Sequence, residues 1–422
     1  MVLLAKTFDE LISDCCSLSV ACFYEWPFAL RFCFVKVAYV TTFDVQKPDS
    51  WPKRHLGLYS AGNKIIHSLK TDSNEVVSLC LLNRKHRGIT RIKWEFYKNV
   101  QHKNFYGSVD PLVCKAYARQ IQRCLVSSDA DILLCPENAI PLASLAPDRP
   151  MVLWTDAVLG SLVDFYPYLS NLCAETRRNI HRMEAQALSR CSLVILTSQW
   201  AARSAHKIYG VPFSKLKVIP RGANQIHQFS VADVKSGILR RSHSPCQLLF
   251  IGVEWQRKGG DMALKVAQRL NDEGLATELH VVGCTPPDNI PDFVKVHGFI
   301  NRETEAGKAQ MNQMFQSAHF LIYPTKADAL GMVLSEAASF GVPALASKVG
   351  GIPELVRADI TGQTFAVDAA PYEYCSFVMS YMSNADRYQS LAYSTFENYK
   401  NNMSWPAVGE QARTAFRELL AS

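Results

Sequence analysis

The 422-residue chain is long enough for two or three domains with a sizeable buried core. Apolar residues make up 48% and charged residues 20%, a balance typical of a soluble globular protein, and the formal net charge is +7. This modest positive charge suits an anionic substrate such as a nucleotide diphosphate, or a membrane surface rich in acidic lipids. No motif for DNA or RNA binding accompanies the charge, so we expect no nucleic-acid partner.

The first 34 residues do not fit the pattern of the rest. The apolar run 15–35 carries Glu25, Pro27 and Arg31 and lacks the basic start and clean apolar core of a secretory signal. An interfacial anchor, an additional N-terminal helix and a start assigned too far upstream are the alternatives. We favour the last one, because residues 35–44 form a natural opening strand.

From residue 35 onward, strand-like and helix-like segments alternate, which predicts parallel sheets covered by helices on both faces. In chain order, the strands are predicted at residues 36–42, 76–82, 131–136, 150–156, 192–198, 215–222, 247–253, 278–283, 294–299, 319–324 and 343–347. The alternation divides the chain into a first doubly wound domain (35–222), a second one (223–400) and a C-terminal helix (401–422).

Two segments interrupt this alternation. The polar segment 223–245 is predicted to be a linker at the start of the second domain. The stretch 92–106 is predicted to be irregular; its aromatic and lysine residues suit either contact with an acceptor or lipid surface, or a locally packed insertion. His181 and Glu184, three positions apart on a predicted helix, are interpreted as a surface pair.

The thirteen cysteines include no CxxC pair and no regular spacing with histidine. Such a scattered, odd number within apolar runs is typical of reduced, buried thiols in a cytoplasmic protein. We therefore expect no disulfide framework and no metal site. No segment offers the roughly 18 uninterrupted apolar residues of a membrane-spanning helix.

Two carboxylates are predicted at the carboxyl edge of the second sheet. Asp328 lies in the loop after the strand 319–324, and Glu336 lies on a short apolar helix predicted over 332–340. An ionised carboxylate on so apolar a helix is costly unless a partner stabilises it. Because α/β proteins bind ligands at the carboxyl ends of parallel strands, the pair indicates a ligand site. A solvated aspartate and a helix-capping glutamate are the structural alternative.

A basic, glycine-containing loop follows the strand 247–253. It contains Arg257, Lys258 and Gly259 and leads into a helix predicted to begin at about Asp261. Backbone amides at a helix start, with a fixed cation beside them, favour a diphosphate, and glycine lets the backbone approach it closely. The loop fits neither GxxxxGK[ST] nor GxGxxG, so a P-loop or a dinucleotide site is not predicted. A solvated surface turn remains the alternative.

The region 323–356 carries a resemblance to a known family. Asp328, seven intervening residues and Glu336, followed by FGVPALAS and VGGIPELV, resemble the donor-site signature of retaining family-4 glycosyltransferases, group 1 type. That family usually has Glu at the first position, and Asp328 keeps the charge while shortening the reach by one methylene. Residues 152–167 and 177–224 resemble a bacterial subgroup of the same enzymes.

The resemblance implies an α/β fold of the GT-B type. Two doubly wound, Rossmann-like domains would face each other across a cleft, with the last helix crossing back onto the first domain. Lys258 would bind the donor diphosphate, Asp328 the transferred sugar and Glu336 the ribose hydroxyls. Relatives place an arginine directly after the strand-ending glycine, where this chain has Val253; Arg257 is the candidate replacement.

Further site residues follow from the same resemblance. The backbone of Gly331, Met332 and Val333 is expected to lie against sugar and phosphate. Arg221 is a cation near the expected cleft, or else a hinge residue in a surface salt bridge. Asp156 stands where many relatives have histidine; it would orient the acceptor or donor sugar or take a proton, or it would cap the next helix.

The sequence thus predicts a cytoplasmic retaining glycosyltransferase of the hexosyltransferase type, in polysaccharide biosynthesis. Its partners would be a nucleotide-sugar donor and a glycan, lipid-linked or small-molecule acceptor, with peripheral contact at the inner membrane face left open. No cofactor besides the nucleotide-sugar co-substrate and no metal are expected, because basic side chains and helix amides offset the charge of the leaving diphosphate. Two alternatives remain: a nucleotide-sugar 2-epimerase on the same fold and a non-catalytic scaffold protein.

Overall fold

The computed structural model describes residues 34–47, 56–71, 74–146, 148–224, 229–302 and 304–421. Apart from Phe34, the predicted N-terminal extension (1–34) lies outside the described residues.

Two six-stranded sheets form the framework, and all their strand pairs are parallel. The first sheet contains β1 (Val35–Thr41), β2 (Asn74–Leu81), β3 (Ile132–Cys135), β4 (Met151–Thr155), β5 (Leu193–Leu196) and β6 (Leu216–Val218) in the spatial order β2-β1-β3-β4-β5-β6. The second contains β7 (Cys246–Ile251), β8 (Thr277–Val282), β9 (Val294–Gly298), β10 (Phe320–Tyr323), β11 (Ala344–Ser347) and β12 (Gly362–Phe365) in the order β12-β11-β10-β7-β8-β9. The predicted parallel α/β architecture is confirmed.

Helices cover both faces of each sheet. They are α1 (Leu56–Leu69), α2 (Arg87–Asn99), α3 (Pro111–Leu125), α4 (Leu159–Leu162), α5 (Ala174–Arg190), α6 (Gln199–Tyr209), α7 (Val231–Leu239), α8 (Trp255–Lys258), α9 (Gly260–Asp272), α10 (Glu305–Ser317), α11 (Met332–Ala338), α12 (Ile352–Leu355), α13 (Pro371–Met382), α14 (Ala385–Asn402) and α15 (Trp405–Ala421). Short 3₁₀ turns lie at Gly107–Val109, Ile140–Leu142, Pro167–Leu169 and Phe213–Lys215.

Each sheet is buried on both faces because its strands are apolar at nearly every position. In β4, Leu153 packs into the core on one face, while Val152 and Trp154 pack into the core on the other. The second face of the first sheet also receives α15, whose Val408 and Phe416 are fully buried there. The last helix thus crosses from the second half of the chain (the second sheet and its helices) onto the first half (the first sheet and its helices), as the predicted fold requires.

The spatial order of the strands reverses once in each sheet, and the loops that follow the strands diverge at that point. The first sheet reverses between β1 and β3, and the second between β7 and β10. Loops leaving neighbouring strands at such a point run to opposite faces and open a crevice at the carboxyl ends of the strands. The loops after β7 and β10 carry the candidate residues Lys258 and Asp328.

Three interpretations of local structure were wrong. The segment 223–245 is not only a linker: its middle forms α7, which begins with a capping box between Ser230 and Asp233. The stretch 92–106 is not irregular, because most of it belongs to α2. Glu184 is not part of a surface pair; it is 1% exposed, and its carboxylate accepts hydrogen bonds from the backbone amides of Leu159 and Gly160.

The expectation of uniformly reduced cysteines was also wrong. Cys80 on β2 and Cys124 on α3 form a disulfide, with Cα atoms 5.8 Å apart. A strand and the helix packed on it bring these positions together, although 44 residues separate them. The remaining described cysteines are free: Cys114, Cys135, Cys173, Cys191, Cys246, Cys284 and Cys375. Within the described segments, no helix combines the length and apolarity needed to cross a bilayer.

Candidate functional site

Lys258 and Asp328 meet where the strand order of the second sheet reverses. Lys258 ends the one-turn helix α8 after β7, and its ammonium donates a hydrogen bond to the Asp328 carboxylate. The Tyr323 hydroxyl, at the end of β10, donates to the same carboxylate and accepts from Lys258. The side chains of Lys258 and Asp328 are 12% and 14% exposed. The predicted diphosphate cation and the predicted sugar-binding acid are therefore in direct contact at the edge of the crevice.

Gly259 makes this close approach possible. Its φ is +82°, and a Cβ atom at this position would lie 1.9 Å from the carbonyl oxygen of Pro324, at the exit of β10. Any side chain would separate the two strand exits, and the left-handed backbone favours glycine as well. Gly259 therefore holds Lys258 against the loop that carries Asp328.

The contact keeps Asp328 ionised. Burial raises the pKa of Asp328, but the charge and hydrogen bond of Lys258 more than offset this, so the pKa lies below its usual range. The pKa of Tyr323 is raised well above its usual value by burial and by the neighbouring Asp328 charge, so its hydroxyl stays protonated. The site thus offers a cation, a carboxylate and a hydroxyl within one hydrogen-bonded group.

Arg257 points along the same loop but is engaged by neighbours. Its guanidinium makes two hydrogen bonds to Glu254, of 2.9 and 3.0 Å, and one of 2.8 Å to the carbonyl of Ala327. It contributes to the lowered pKa of Asp328 without touching it in this structure. Val253, at the place where relatives have arginine, is half-exposed and adds no charge.

Glu336 lies on α11 and has an ion-pair partner that sequence analysis did not identify. Its carboxylate is almost fully buried and accepts a 2.5 Å hydrogen bond from Arg302, which lies between β9 and α10 and is partly exposed. A buried carboxylate of this kind needs such a partner. The sequence indicated that an ionised Glu336 would need a partner, and no pattern in it singled out Arg302.

The three backbone candidates lie at the start of α11. Gly331 is its N-cap residue, with φ +78°, and a Cβ there would lie 3.0 Å from the Tyr323 ring. Met332 faces the first half of the chain: a Cβ atom at Gly57 would lie 3.0 Å from its terminal methyl group, and its sulfur lies 3.7 Å from the side-chain nitrogen of Asn224, which donates to the Gly57 carbonyl. Val333 instead packs against the apolar core of the second half. Gly331 and Met332 therefore border the cleft between the halves, and Val333 contributes mainly to packing.

The first half presents charged residues to the same cleft. Arg221 follows β6 and is 1% exposed; its Nε lies 2.9 Å from an Asp156 carboxylate oxygen, without the alignment of a hydrogen bond. One of its terminal nitrogens donates to the carbonyl of Pro136. Burial raises the pKa of Asp156, the Arg221 charge offsets part of this, and the Asp328 charge raises it further. Asp156 is thus close enough to Asp328 for the two carboxylates to interact across the cleft.

A third acid at this rim, Glu137, was missed by the sequence analysis. It follows β3, and its carboxylate accepts three hydrogen bonds: one from the Thr41 hydroxyl, one from the Thr42 hydroxyl and one from the Thr42 amide. Burial raises the pKa of Glu137 despite these bonds. The group joins the exits of β1 and β3, where the strand order of the first sheet reverses.

Among the described residues, Tyr166 and Glu354 make contacts that join the halves beside the site. The Tyr166 hydroxyl, from the first half, accepts a 2.8 Å hydrogen bond from the Ala329 amide and lies 3.5 Å from an Asp328 oxygen. Glu354, in the GGIPELV motif, accepts hydrogen bonds of 2.6 and 2.9 Å from the first amides of α6, those of Gln199 and Trp200. An acid at the start of a helix is favourable, so Glu354 stabilises this approach of the two halves.

The structure therefore unites most of the sequence-predicted residues. Lys258, Arg257, Gly259 and Asp328 form one group, and Asp156 with Arg221 lies opposite. Glu336 stands apart from them in its own ion pair. The residues that sequence analysis missed are Tyr166, Tyr323, Glu137, Arg302 and Glu354. Tyr323 and Glu354 lie inside the recognised signature, so the motif itself was the signal available for them.

Part of the chain matches a known protein family. Residues 245–381 match the family described as Glycosyl transferases group 1. This segment resembles the domain of that family. The segment contains Lys258, Arg302, Asp328 and Glu336, whereas the pair of Asp156 and Arg221 lies outside it.

Relatives extend the similarity beyond this domain. The D-inositol 3-phosphate glycosyltransferase of Thermobifida fusca is 24% identical over 187 residues, which cover 41% of this chain and 42% of the relative. The chain thus matches less than half the length of that curated relative.

Solved structures show that the matched segment is part of a GT-B fold. Sucrose-phosphate synthase from Thermosynechococcus elongatus is 14% identical, with a TM-score of 0.62 over 92% of this chain and 99% of that one. HepE of Anabaena, solved in complex with UDP-glucose, is 16% identical, with a TM-score of 0.57 over 91% of this chain and 99% of that one. The predicted GT-B architecture is therefore confirmed.

Proposed function

We propose that this protein is a retaining glycosyltransferase that transfers a hexosyl group from a nucleotide-sugar donor to an acceptor hydroxyl. The observation that carries the proposal is the contact of Lys258 with Asp328 where the strand order of the second sheet reverses. A cation and an acid in contact can bind the two ends of a sugar–diphosphate linkage, one at the phosphate and the other at the sugar. The similarity to HepE, solved with UDP-glucose, supports a nucleotide-sugar ligand.

The proposed reaction replaces one bond at the anomeric carbon by another. The bond from this carbon to the diphosphate oxygen breaks, and its electron pair leaves with the diphosphate, next to Lys258. A new bond forms to the acceptor oxygen on the same face, which retains the configuration. The acceptor proton passes to a donor phosphate oxygen. Lys258 and Arg257 stabilise the growing negative charge on the leaving group.

The other charged residues take distinct places in this proposal. Glu336, held by Arg302, accepts hydrogen bonds from the ribose hydroxyls of the nucleotide. Asp328 accepts from a hydroxyl of the transferred sugar, in exchange for part of its contact with Lys258. Asp156 faces Asp328 from the acceptor side, where its carboxyl group can orient the acceptor hydroxyl. Arg221 holds Asp156 in place.

The acceptor and the place of action are proposed more broadly. A glycan or lipid-linked hydroxyl would enter from the first half, past Glu137 and Asp156, and the product would belong to a polysaccharide or glycolipid. We propose action at the cytoplasmic face of a membrane, where nucleotide-sugars would meet such an acceptor. No metal or organic cofactor is assigned to the reaction.

A screen of nucleotide-sugars by thermal shift tests the proposal, because a ligand that binds the native state raises its melting temperature. The selected donor is then tested with Lys258→Ala and Glu336→Gln. Lys326→Ala serves as the control, since it removes the same charge from an exposed position in the neighbouring loop after β10, which carries Asp328. Loss of the shift in the two site variants and its retention in the control support the site. Equal shifts in all four proteins contradict it.

Incubation with the donor alone separates transfer from isomerisation. The proposed enzyme leaves the donor sugar unchanged without an acceptor, apart from slow hydrolysis. A 2-epimerase would convert the donor to an isomeric sugar, and that product would overturn the assignment.

A further inference from the structure

The hydroxyl of Tyr166, from the first half, lies between two polar groups of the second half. It accepts a 2.8 Å hydrogen bond from the Ala329 amide, and it donates to Oδ1 of Asp328 at 3.5 Å. One donor and one acceptor therefore meet a single hydroxyl. A sugar hydroxyl also donates and accepts through the same oxygen atom, so it can make the same two hydrogen bonds.

The two oxygens of Asp328 have different neighbours. Oδ2 accepts hydrogen bonds from Lys258 and Tyr323, whereas Oδ1 faces Tyr166 across the cleft. Ala329 is buried, and the partner of its amide is the Tyr166 hydroxyl. A hydroxyl group that approaches Asp328 and Ala329 from the cleft therefore meets the Tyr166 hydroxyl in its place.

A compact turn presents Tyr166 to the second half. Asp164 has φ +60°, a backbone conformation that few residues other than glycine adopt, and its amide donates to the Leu169 carbonyl at 3.2 Å. The next residue, Phe165, packs against the apolar core of the second half, with its ring centroid 5.6 Å from that of Trp200. The turn and this packing together hold the Tyr166 ring in the cleft.

Tyr166 also lies beside the candidate diphosphate-binding loop. The Arg257 guanidinium is 5.6 Å from the centre of the Tyr166 ring, while the hydroxyl at the other end of the side chain meets Asp328. Burial and the Asp328 charge raise the pKa of Tyr166, so its hydroxyl keeps its proton and remains a donor. The side chain therefore spans the region between the proposed phosphate and sugar positions.

We propose that Tyr166 competes with the transferred sugar for the Ala329 amide and Oδ1 of Asp328, so that a nucleotide-sugar binds only by displacing the Tyr166 hydroxyl. The nucleotide alone has no sugar to place there and does not meet this competition. Tyr166 thereby lowers the affinity for the nucleotide-sugar relative to that for the nucleotide. The inference rests on the proposed function, because it takes the competing group to be a hydroxyl of the donor sugar.

Titration of the full chain with UDP-glucose and with UDP tests the competition. Tyr166→Phe removes the competing hydroxyl and keeps the ring, so it should bind UDP-glucose about five-fold more tightly, the worth of one typical hydrogen bond, and bind UDP as the wild type does. Tyr168→Phe is the matched control, since it removes a hydroxyl from an exposed ring that stacks on Tyr166. The control should bind both ligands like the wild type.

Hydrogen exchange at the Ala329 amide tests the contact itself, without any ligand. The amide should exchange slowly in the wild type and in Tyr168→Phe, and about five-fold faster in Tyr166→Phe, which lacks the acceptor oxygen. Addition of UDP-glucose to Tyr166→Phe should restore slow exchange, because a sugar hydroxyl then accepts from the amide. Addition of UDP should leave the exchange of this variant fast.

Three results would overturn the competition while leaving the proposed function in place. Equal exchange of Ala329 in Tyr166→Phe and the wild type would mean that the contact is not formed in solution. Unchanged or weaker binding of UDP-glucose by Tyr166→Phe would mean that Tyr166 does not oppose the sugar, and equal tightening for UDP would mean that it opposes the nucleotide instead. If neither ligand binds any of the three proteins, the proposed function fails and the competition fails with it.

Discussion

Replacing Lys258 by alanine should destabilise the protein because it leaves Asp328 without its cation. Both side chains are largely buried. At about 3 Å and an effective dielectric constant of about 20, the attraction is roughly 5 kcal/mol before desolvation is counted. Breaking a buried pair from one side costs about 3–5 kcal/mol. We expect the lower end, about 3 kcal/mol, because Tyr323 still donates to Asp328.

The effect should depend on pH with a definite sign. The pKa of Asp328 in the native state lies below its unfolded value, so the pair stabilises the protein above about pH 4, the unfolded pKa. This stabilisation is lost as pH falls through the native pKa. The difference in stability between the wild type and Lys258→Ala should therefore be full at pH 7 and shrink below pH 4.

Urea denaturation of Lys258→Ala, Asp328→Asn and the double variant measures the coupling, with Lys326→Ala as the control. We expect the double variant to be at least about 2 kcal/mol more stable than the sum of the single losses predicts, since it has no unpaired buried charge. Single losses that add to within about 0.5 kcal/mol would refute the pairing, because independent sites behave in that way.

Three further predictions concern the frame around the site. Burial raises the pKa of Glu184 to about 7, above its unfolded value, so the free energy of unfolding should rise by up to about 3 kcal/mol as pH falls from 7 to 4.5. Urea titrations of Glu184→Gln should show a flatter pH dependence, and an unchanged slope would contradict the prediction. The Cys80–Cys124 disulfide spans 44 residues, so its reduction should lower the free energy of unfolding by up to about 4 kcal/mol. Mass spectrometry of the purified protein should find this pair oxidised, and two free thiols would rule the bond out. Glu354→Ala removes the acceptor at the start of α6 and should cost about 1 kcal/mol in thermal unfolding, whereas a neutral result would show that this contact does not hold the halves together.

The sequence was most informative where a motif and a structural period coincided. Apolar strands bounded by turns predicted the two parallel sheets, because strands buried on both faces are apolar at nearly every position. The signature around Asp328 and Glu336 located the second-half site, and the Gly259 turn located its cation. Each of these features lies within a short stretch of sequence, so residue composition and spacing are enough to predict it.

Other features could not be predicted because they depend on contacts between distant segments. Arg302 reaches Glu336 from 34 residues away, and Glu354 meets Gln199 across 155 residues. The disulfide was missed because a strand and the helix packed on it have no sequence period in common. Helix α2 was misread as irregular although Ile89, Ile92 and Phe96 follow helical spacing, because the basic and aromatic residues between them obscured this period.

The central claim is that one nucleotide ligand reaches from Lys258 to Glu336. Titration of the wild type, Lys258→Ala and Glu336→Gln with UDP and with uridine tests it most directly, since UDP is the nucleotide seen with the similar protein HepE. Loss of a hydrogen bond to a charged group costs about 1.5–3 kcal/mol, so Lys258→Ala should weaken UDP binding by roughly 10- to 150-fold and leave uridine unaffected. Glu336→Gln should weaken both ligands by the same factor. If Lys258→Ala leaves UDP binding unchanged, or if Glu336→Gln affects neither ligand, the two residues do not share one nucleotide.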